Sequence, residues 1–373
     1  MPLLPKTVQP NSGEDHFDKQ GFPHFMLKEI YQQPEVVRTC LAHYLNSNPD
    51  RPFNLPDRPI PNQIHLLACG TSWHACLIAQ HWLEQIAGIP TRVRAASEFV
   101  AAPFPPTSNI LTIAATQSGE TADTLAAVQL ARHSQTHLFG ITNQPESSLS
   151  QIVDRTLLTH AGREIGVAAT KTFLTQLLVF YCLTLDFAHQ RQQLSGAQMQ
   201  DAIAKLHALP DHITTLLQQD SAIQTLAQSF ATAEHCIVLG RGIQRPIALE
   251  GALKLKETTY LHAEGYAAGE FMHGPIALLD ARIPVIVLAP AGSVYPDTLA
   301  NVRKIKANGA SVLGIVTAGG EADFDRAIVL PSIDESLSPF LSVIPLQLLA
   351  YHLAVLRGLD VDRPRNITKT LTE

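Results

Sequence analysis

The segment ATQSGETADTL at 115–125 returns as APAGSVYPDTL at 289–299, and FGIT around Gly140 returns as LGIV around Gly314. Both pairs lie the same 174 residues apart. Two matches at one offset predict a duplicated folding unit. In the first unit IHLLA (64–68), NILTIAA (109–115), HLFGITN (137–143) and RTLLTH (155–160) are short strand-like runs. WHACLIAQHWLEQIAG and ADTLAAVQLARH, between them, follow a helical period, and EIGVAATKTFLTQLLVFYCLTL opens a long helix. Strands alternating with helices imply an α/β fold whose parallel sheets are covered on both faces, with right-handed crossovers. The expected units are 57–195 and 226–360, with a helical connector at 196–225. A tail and helix over 1–56 precede them, and a tail at 361–373 follows.

Residues 1–22 read as a flexible tail. FMLKEIYQQPEVVRTCLAHY (25–44) reads as helix, with Pro34 at a break or in a first turn. The Pro-, Asn- and Asp-rich stretch 46–62 reads as a linker. The runs Phe173–Phe187 and Phe340–Leu356 are the most apolar, but they are interrupted by polar residues and are near or below spanning length. They are expected to be buried core helices, so no membrane association is expected. The N-terminus lacks the apolar centre of a signal peptide. A formal net charge of −6 argues against a general nucleic-acid binder. Five cysteines, without a CxxC pair, favour reduced thiols and a cytoplasmic location. The sixteen histidines show no ligand spacing, so no metal is expected.

Chemistry concentrates between Leu239 and Asp280. The strand-like HCIVLG leads into a helix from about Ile247 to Leu261, and on it Glu250, Lys254 and Glu257 share one face. A looser stretch then delivers His273. A carboxylate, an amine and an imidazole suit proton shuttling on a small molecule. The alternative is a solvated helix face with one ion pair.

CGTS (69–72) and TQSGET (116–121) each stand between a strand and a helix. Helix N-termini with Ser and Thr hydroxyls make anion cradles, although such residues are also ordinary caps. Where the first unit has Thr116, Gln117, Ser118 and Thr121 around Gly119, the second has Pro290, Ala291, Ser293 and Pro296. Binding is therefore expected in the first unit and proton chemistry in the second, with a site at their junction. Cys69 has no histidine pattern beside it to make it a nucleophile. Lys369 lies in a polar tail, which reads as disordered or as a closure bringing an amine to a carbonyl.

These residues sit in longer matching stretches: DKQGFPHFMLKEIYQQP, ACGTSWHACLIAQHWLEQIAGIP, ATQSGETADTL, EIGVAATKTF, LGRGIQRPIALEGALKLKETTYLHAEGYAAGEFMHGPIALLD and DRPRNITKTL. Together they resemble the isomerase half of the glucosamine-6-phosphate synthase family, built from two sugar-isomerase (SIS) domains. The resemblance covers nearly all of residues 16–373. It implies two flavodoxin-like doubly wound domains and an enzyme acting between fructose 6-phosphate and glucosamine 6-phosphate. It implies that Ser72, Thr116, Gln117, Ser118 and Thr121 bind phosphate, and that Thr71, Val167 and the backbone at Cys69 and Gly70 contact sugar. Glu257 matches the base between C1 and C2, with Lys254 beside it. His273 matches the ring-opening histidine supplied by the neighbouring subunit of a homodimer. Lys369 matches the lysine that forms an imine with the open ketose. No cofactor is implied.

Thr116 and Ala169 stand where the family usually has serine, and Ala169 removes one side-chain sugar contact. Neither a glutaminase domain nor a cysteine after Met1 is present in these 373 residues. Ammonia, or a separate glutaminase subunit, is then the expected nitrogen source. Two other expectations stand beside this one. The site could run in reverse as a glucosamine-6-phosphate deaminase, or the chain could be a phosphosugar-binding regulator, for which Glu257, His273 and Lys369 would be surplus.

Overall fold

The structure, a computed structural model, describes residues 18–46, 48, 51–56, 59–105, 109–132 and 137–369. It opens with α1 (Phe25–Tyr31) and α2 (Gln33–Tyr44). Pro34 lies in the first turn of α2, where a missing N–H costs nothing. Of the expected tail, residues 1–17 lie outside the described residues. The expected linker corrects to packed chain in part. Leu45 bridges Phe53, and Phe53 is buried in the core.

The first sheet is built from β1 (Gln63–Ala68), β2 (Thr91–Ala95), β3 (Ile110–Ala115), β4 (His137–Thr142) and β5 (Arg155–Leu158). Its order is β2-β1-β3-β4-β5, and every pair is parallel. The strands are interleaved with α3 (Gly70–Gln85), α4 (Ala96–Ala101), α5 (Ala122–Arg132), α6 (Ser148–Ile152) and then α7 (Lys171–Gln190). Next come α8 (Gly196–Leu217), opened by a capping box between Ser195 and Gln198, and α9 (Asp220–Ala227). The expected connector is thus two helices, and they bury Leu206, Leu209, Ile213, Leu216 and Ile223.

The second sheet comprises β6 (His235–Gly240), β7 (His262–Ala267), β8 (Val285–Ala289), β9 (Val312–Thr317) and β10 (Arg326–Leu330). Its helices are α10 (Gln244–Thr259), α11 (Ala268–Phe271), α12 (Tyr295–Ala307) and α13 (Ser338–Leu356). Its order is β10-β9-β8-β6-β7, again all parallel. From the β7 end, the strand order repeats that of the first sheet. Ala115 and Ala289 close corresponding strands, and Gly140 and Gly314 sit within corresponding strands.

The looser stretch expected before His273 is in fact β7 followed by α11. HAEGYA lacks apolar alternation because β7 is an edge strand, paired among the described residues only with β6. Nothing had marked RAIVL as a strand either, yet it forms the opposite edge, β10.

One apolar core runs through both sheets. By length and composition α7 and the α13 segment could each cross a membrane, but 94% and 89% of their apolar windows are buried inside the fold. Trp82 of α3 stacks on Phe340 of α13 and donates its indole N–H to Ser336 O at 2.8 Å. Against α13 lies α10, which also packs on β7, β6 and α3. That position sets second-sheet residues beside the first sheet.

Candidate active site

β1 and β3 are parallel neighbours, so their carboxyl ends open on one side. Cys69 caps α3, whose first turn is Gly70, Thr71 and Ser72. CGTS is therefore mostly helix rather than loop. Residues 116–121 link β3 to α5. Between the two helix starts lies a cavity of about 470 Å³, in the size range of small-molecule sites. Cys69, Thr71, Ser72, Thr116, Gln117, Ser118, Thr121, Val167, Ala169 and Lys369 all stand on its wall. Gly70 does not line it. Cys69 Sγ is partnered by the Thr124 hydroxyl, not by a histidine.

The turn is tightly determined. Thr116 Oγ1 and Thr121 Oγ1 are 2.7 Å apart. Ser118 Oγ accepts from Glu120 N at 3.1 Å. The Glu120 carboxylate is held by Ser148 N at 2.7 Å, and Ser72 Oγ accepts from Gln176 Nε2 at 3.0 Å. Gly119 has φ +71°, and a Cβ there would lie 2.1 Å from Ser147 Oγ. We expect Gly119→Ala to cost about 1–3 kcal/mol of stability, as read by urea unfolding.

Lys369 is the only cation on this wall among the described residues, and its side chain is buried. Its Nζ donates to Glu164 Oε2 and to Gly166 O, both at 2.6 Å. The disordered-tail expectation thus fails at this residue, whereas 370–373 lie outside the described residues. Burial alone would raise the Glu164 carboxyl. The Lys369 charge and hydrogen bond, helped by Thr172 and Thr170, outweigh burial and hold it down at about 2. Glu29 of α1 accepts from Ile165 N and Gly166 N. Burial, and then the Glu164 charge, push Glu29 up to about 8. Lys171, bonded to Gln32 Oε1 and Arg163 O, is lowered by burial. Asp362 completes the frame. Its carboxylate accepts Phe25 N and Met26 N at 2.9 Å, and its carbonyl accepts Val167 N at 3.2 Å.

Glu29 gives a pH signature. Between pH 4.5 and 8 the folded chain keeps a proton on Glu29 that the unfolded chain has lost. Stability from this group is therefore fully present below about pH 4.5 and declines as pH rises toward 8. Denaturant unfolding of Glu29→Gln across this window should show a flatter profile, with about 1–3 kcal/mol less pH dependence.

The solvated-face reading of α10 does not hold for two of its three residues. The side chains of Glu250 and Lys254 are 0% exposed, and that of Glu257 is 22% exposed. Lys254 Nζ lies 2.6 Å from Glu257 Oε2 and 3.4 Å from Glu250 Oε1, and donates to Thr71 Oγ1 at 3.2 Å. Thr71 Oγ1 also donates to Glu250 Oε1 at 3.1 Å. Glu257 is therefore two contacts from the cavity wall, through Lys254 and Thr71. Burial would lower the Lys254 ammonium, but Glu250 and Glu257 reverse that and raise it. Burial would raise Glu250, but Lys254, His74 and Thr71 hold it low.

His273 lies on an exposed turn after α11, off the cavity wall. Sequence reasoning did not single out His74, Glu29, Glu164, Lys171 or Asp362. His74 Nδ1 donates to Glu250 Oε2 at 2.7 Å. Its spacing of three from Thr71 was the available signal. Among the described residues, no three His, Cys, Asp or Glu side chains gather as metal ligands.

The sequence profile of the SIS domain matches residues 61–185 and again 229–357. A glutamine–fructose-6-phosphate aminotransferase (isomerizing) from Synechocystis sp. is 52% identical over 99% of this chain and 62% of its own length. One from Thermosynechococcus vestitus is 50% identical over 95% of this chain and 60% of its own. The chain thus spans about three-fifths of the length of these curated relatives. The solved C-terminal domain of glucosamine-fructose-6-phosphate aminotransferase from Francisella tularensis superposes with a TM-score of 0.90. It is 36% identical, covering 93% of this chain and 100% of that one.

Proposed function

The chain belongs to the SIS-domain family, and from that premise we propose that it acts between fructose 6-phosphate and glucosamine 6-phosphate as a ketose–aldose aminotransferase/isomerase. One observation carries this reading. A single cavity wall brings phosphate-type hydroxyl and amide donors together with Lys369, and shares Thr71 with the Glu250–Lys254–Glu257 face.

In this mechanism Ser72, Thr116, Gln117, Ser118 and Thr121 hold the phosphate at the N-termini of α3 and α5. His273, donated by the neighbouring subunit of a homodimer, opens the ring. Its exposed position off the cavity of its own chain supports that arrangement. Lys369 leaves Glu164, loses a proton and adds to the C2 carbonyl. Water departs, and an imine remains. Ammonia displaces the lysine amine, leaving the C2 imine of the sugar. Glu257 then removes a proton from C1 and returns it at C2. The O1 hydroxyl proton passes in net terms to nitrogen, giving the 2-amino aldose. Ala169 leaves the sugar one side-chain contact fewer. A separate glutaminase subunit is one source of ammonia, and a cytoplasmic setting fits the sugar-phosphate substrates. The equal strand orders and the double profile match support descent from a duplicated unit.

The test is a paired assay. Incubation with fructose 6-phosphate and ammonium should yield glucosamine 6-phosphate, and glucosamine 6-phosphate alone should yield ammonia more slowly. Binding of either sugar without turnover would leave a sensor and sink the enzymatic reading. Deamination faster than synthesis at matched concentrations would reverse the assigned direction.

A further inference from the structure

Lys254 serves two carboxylates at once. It stands 2.6 Å from Glu257 Oε2 and 3.4 Å from Glu250 Oε1. A fully buried carboxylate such as Glu250 needs compensation on both oxygens. Oε1 receives Thr71, but Oε2 has His74 Nδ1 at 2.7 Å. His74 comes from α3 and Glu250 from α10, so this bond crosses between the two halves of the molecule. We propose that His74 is a positioning residue for proton transfer: by satisfying Glu250 it frees Lys254 to lean on Glu257.

The surroundings leave the His74 role uncontested. Lys254 is acted on by Glu250 and Glu257, and Glu250 by Lys254, His74 and Thr71. Of the other elements packed on α10, β7 keeps its titratable groups to itself and β6. Glu264 meets Tyr266 and His262, and His262 meets His235. On β6, Cys236 is buried, with its thiol pushed up by burial. On α13, Tyr351 pairs with His24 and His352 with Asp220. Among the described residues, the carboxylate bonded by His74 has no other imidazole partner.

Loss of the imidazole leaves Glu250 Oε2 bare. Lys254 is then drawn toward Glu250 and supports the Glu257 carboxylate less. The variants His74→Ala and His74→Asn separate this from a packing effect, because the asparagine Nδ2 reproduces the position of a histidine Nδ1 donor. Two readouts apply. In turnover, His74→Ala should lower kcat about 10-fold or more, leave KM for fructose 6-phosphate within about 2-fold, and move the acidic limb of the pH–rate profile up by about one unit. His74→Asn should restore both. A kcat loss with an unmoved profile, or no rescue by asparagine, overturns the inference.

This inference rests on the proposed role of Glu257, so the second readout is independent of turnover. In glutamate labelled with 13C at the side-chain carboxyl, one buried carboxyl titration should move in His74→Ala and return in His74→Asn. If unaltered protein turns over nothing but this coupling is present, the functional reading fails and the positioning stands. Absence of the coupling sinks the positioning whatever the turnover.

Discussion

Glu257→Gln should lower turnover of fructose 6-phosphate by about 10²–10⁴-fold, the range expected when a positioned general base is lost, while sugar-phosphate affinity stays within a few-fold. The two halves of that outcome have separate structural causes. In the proposed mechanism affinity rests on hydroxyls and amides of the first unit, whose hydrogen bonds among the described residues do not involve Glu257. Turnover, in the same proposal, rests on a carboxylate whose Oε2 faces Lys254 at 2.6 Å, with 22% of its side chain open to solvent. Glutamine keeps the shape and removes the proton-carrying function. Steady-state kinetics with calorimetric binding of fructose 6-phosphate would read both. Equal losses of affinity and rate would mean that Glu257 binds rather than catalyses.

Lys254→Met should be the most destabilising single change in the site, by about 3–5 kcal/mol. Its side chain is fully buried between two carboxylates, and Glu250 is fully buried as well. Removal of the ammonium strands a charge in the interior, and the cheapest response is for Glu250 to take up a proton. In the unaltered protein Glu250 is held low, so its contribution is present above about pH 4.5 and lost in acid. In Lys254→Met the sign inverts, and the deficit should shrink as pH falls toward 5. Adding Glu250→Gln should recover much of the loss, a non-additivity that a double-mutant cycle in urea would expose. A deficit independent of pH would mean lost packing rather than stranded charge.

The fold was legible wherever the apolar period was clean. β1, β3, β4 and β6 are mainly apolar runs, broken by single polar residues such as His65 and Thr112, and are buried along nearly their whole length, as central parallel strands are. The failures sit at the edges of the second sheet. β7 and β10 each pair on one side only, so HAEGYA and RAIVL were not held to the composition of a central strand. The helix face of Glu250, Lys254 and Glu257 was visible as a spacing, but its burial was not. Spacing fixes which side chains share a face, whereas α3, β7 and α13 decide whether that face is wet. The cradle residues were legible because Ser, Thr and Gly between a strand and a helix carry their own stereochemistry. The partners of Lys369 were not, because Glu164 lies 205 residues away in sequence. Glu29 and His74 were hidden for the same reason, each acting through a contact that only the tertiary fold creates.

Asp362 joins the start of α1 across 337 residues of sequence, and Glu29 on that same helix grips the backbone that receives Lys369. The two extremes of the described chain are therefore tied to one another by hydrogen bonds. A path of contacts runs from the leading helix through Gly166 to the amine without passing through either sheet. Mutations or attachments just ahead of Phe25 should accordingly be felt as changes in reactivity at the amine proposed as the nucleophile, which they never touch.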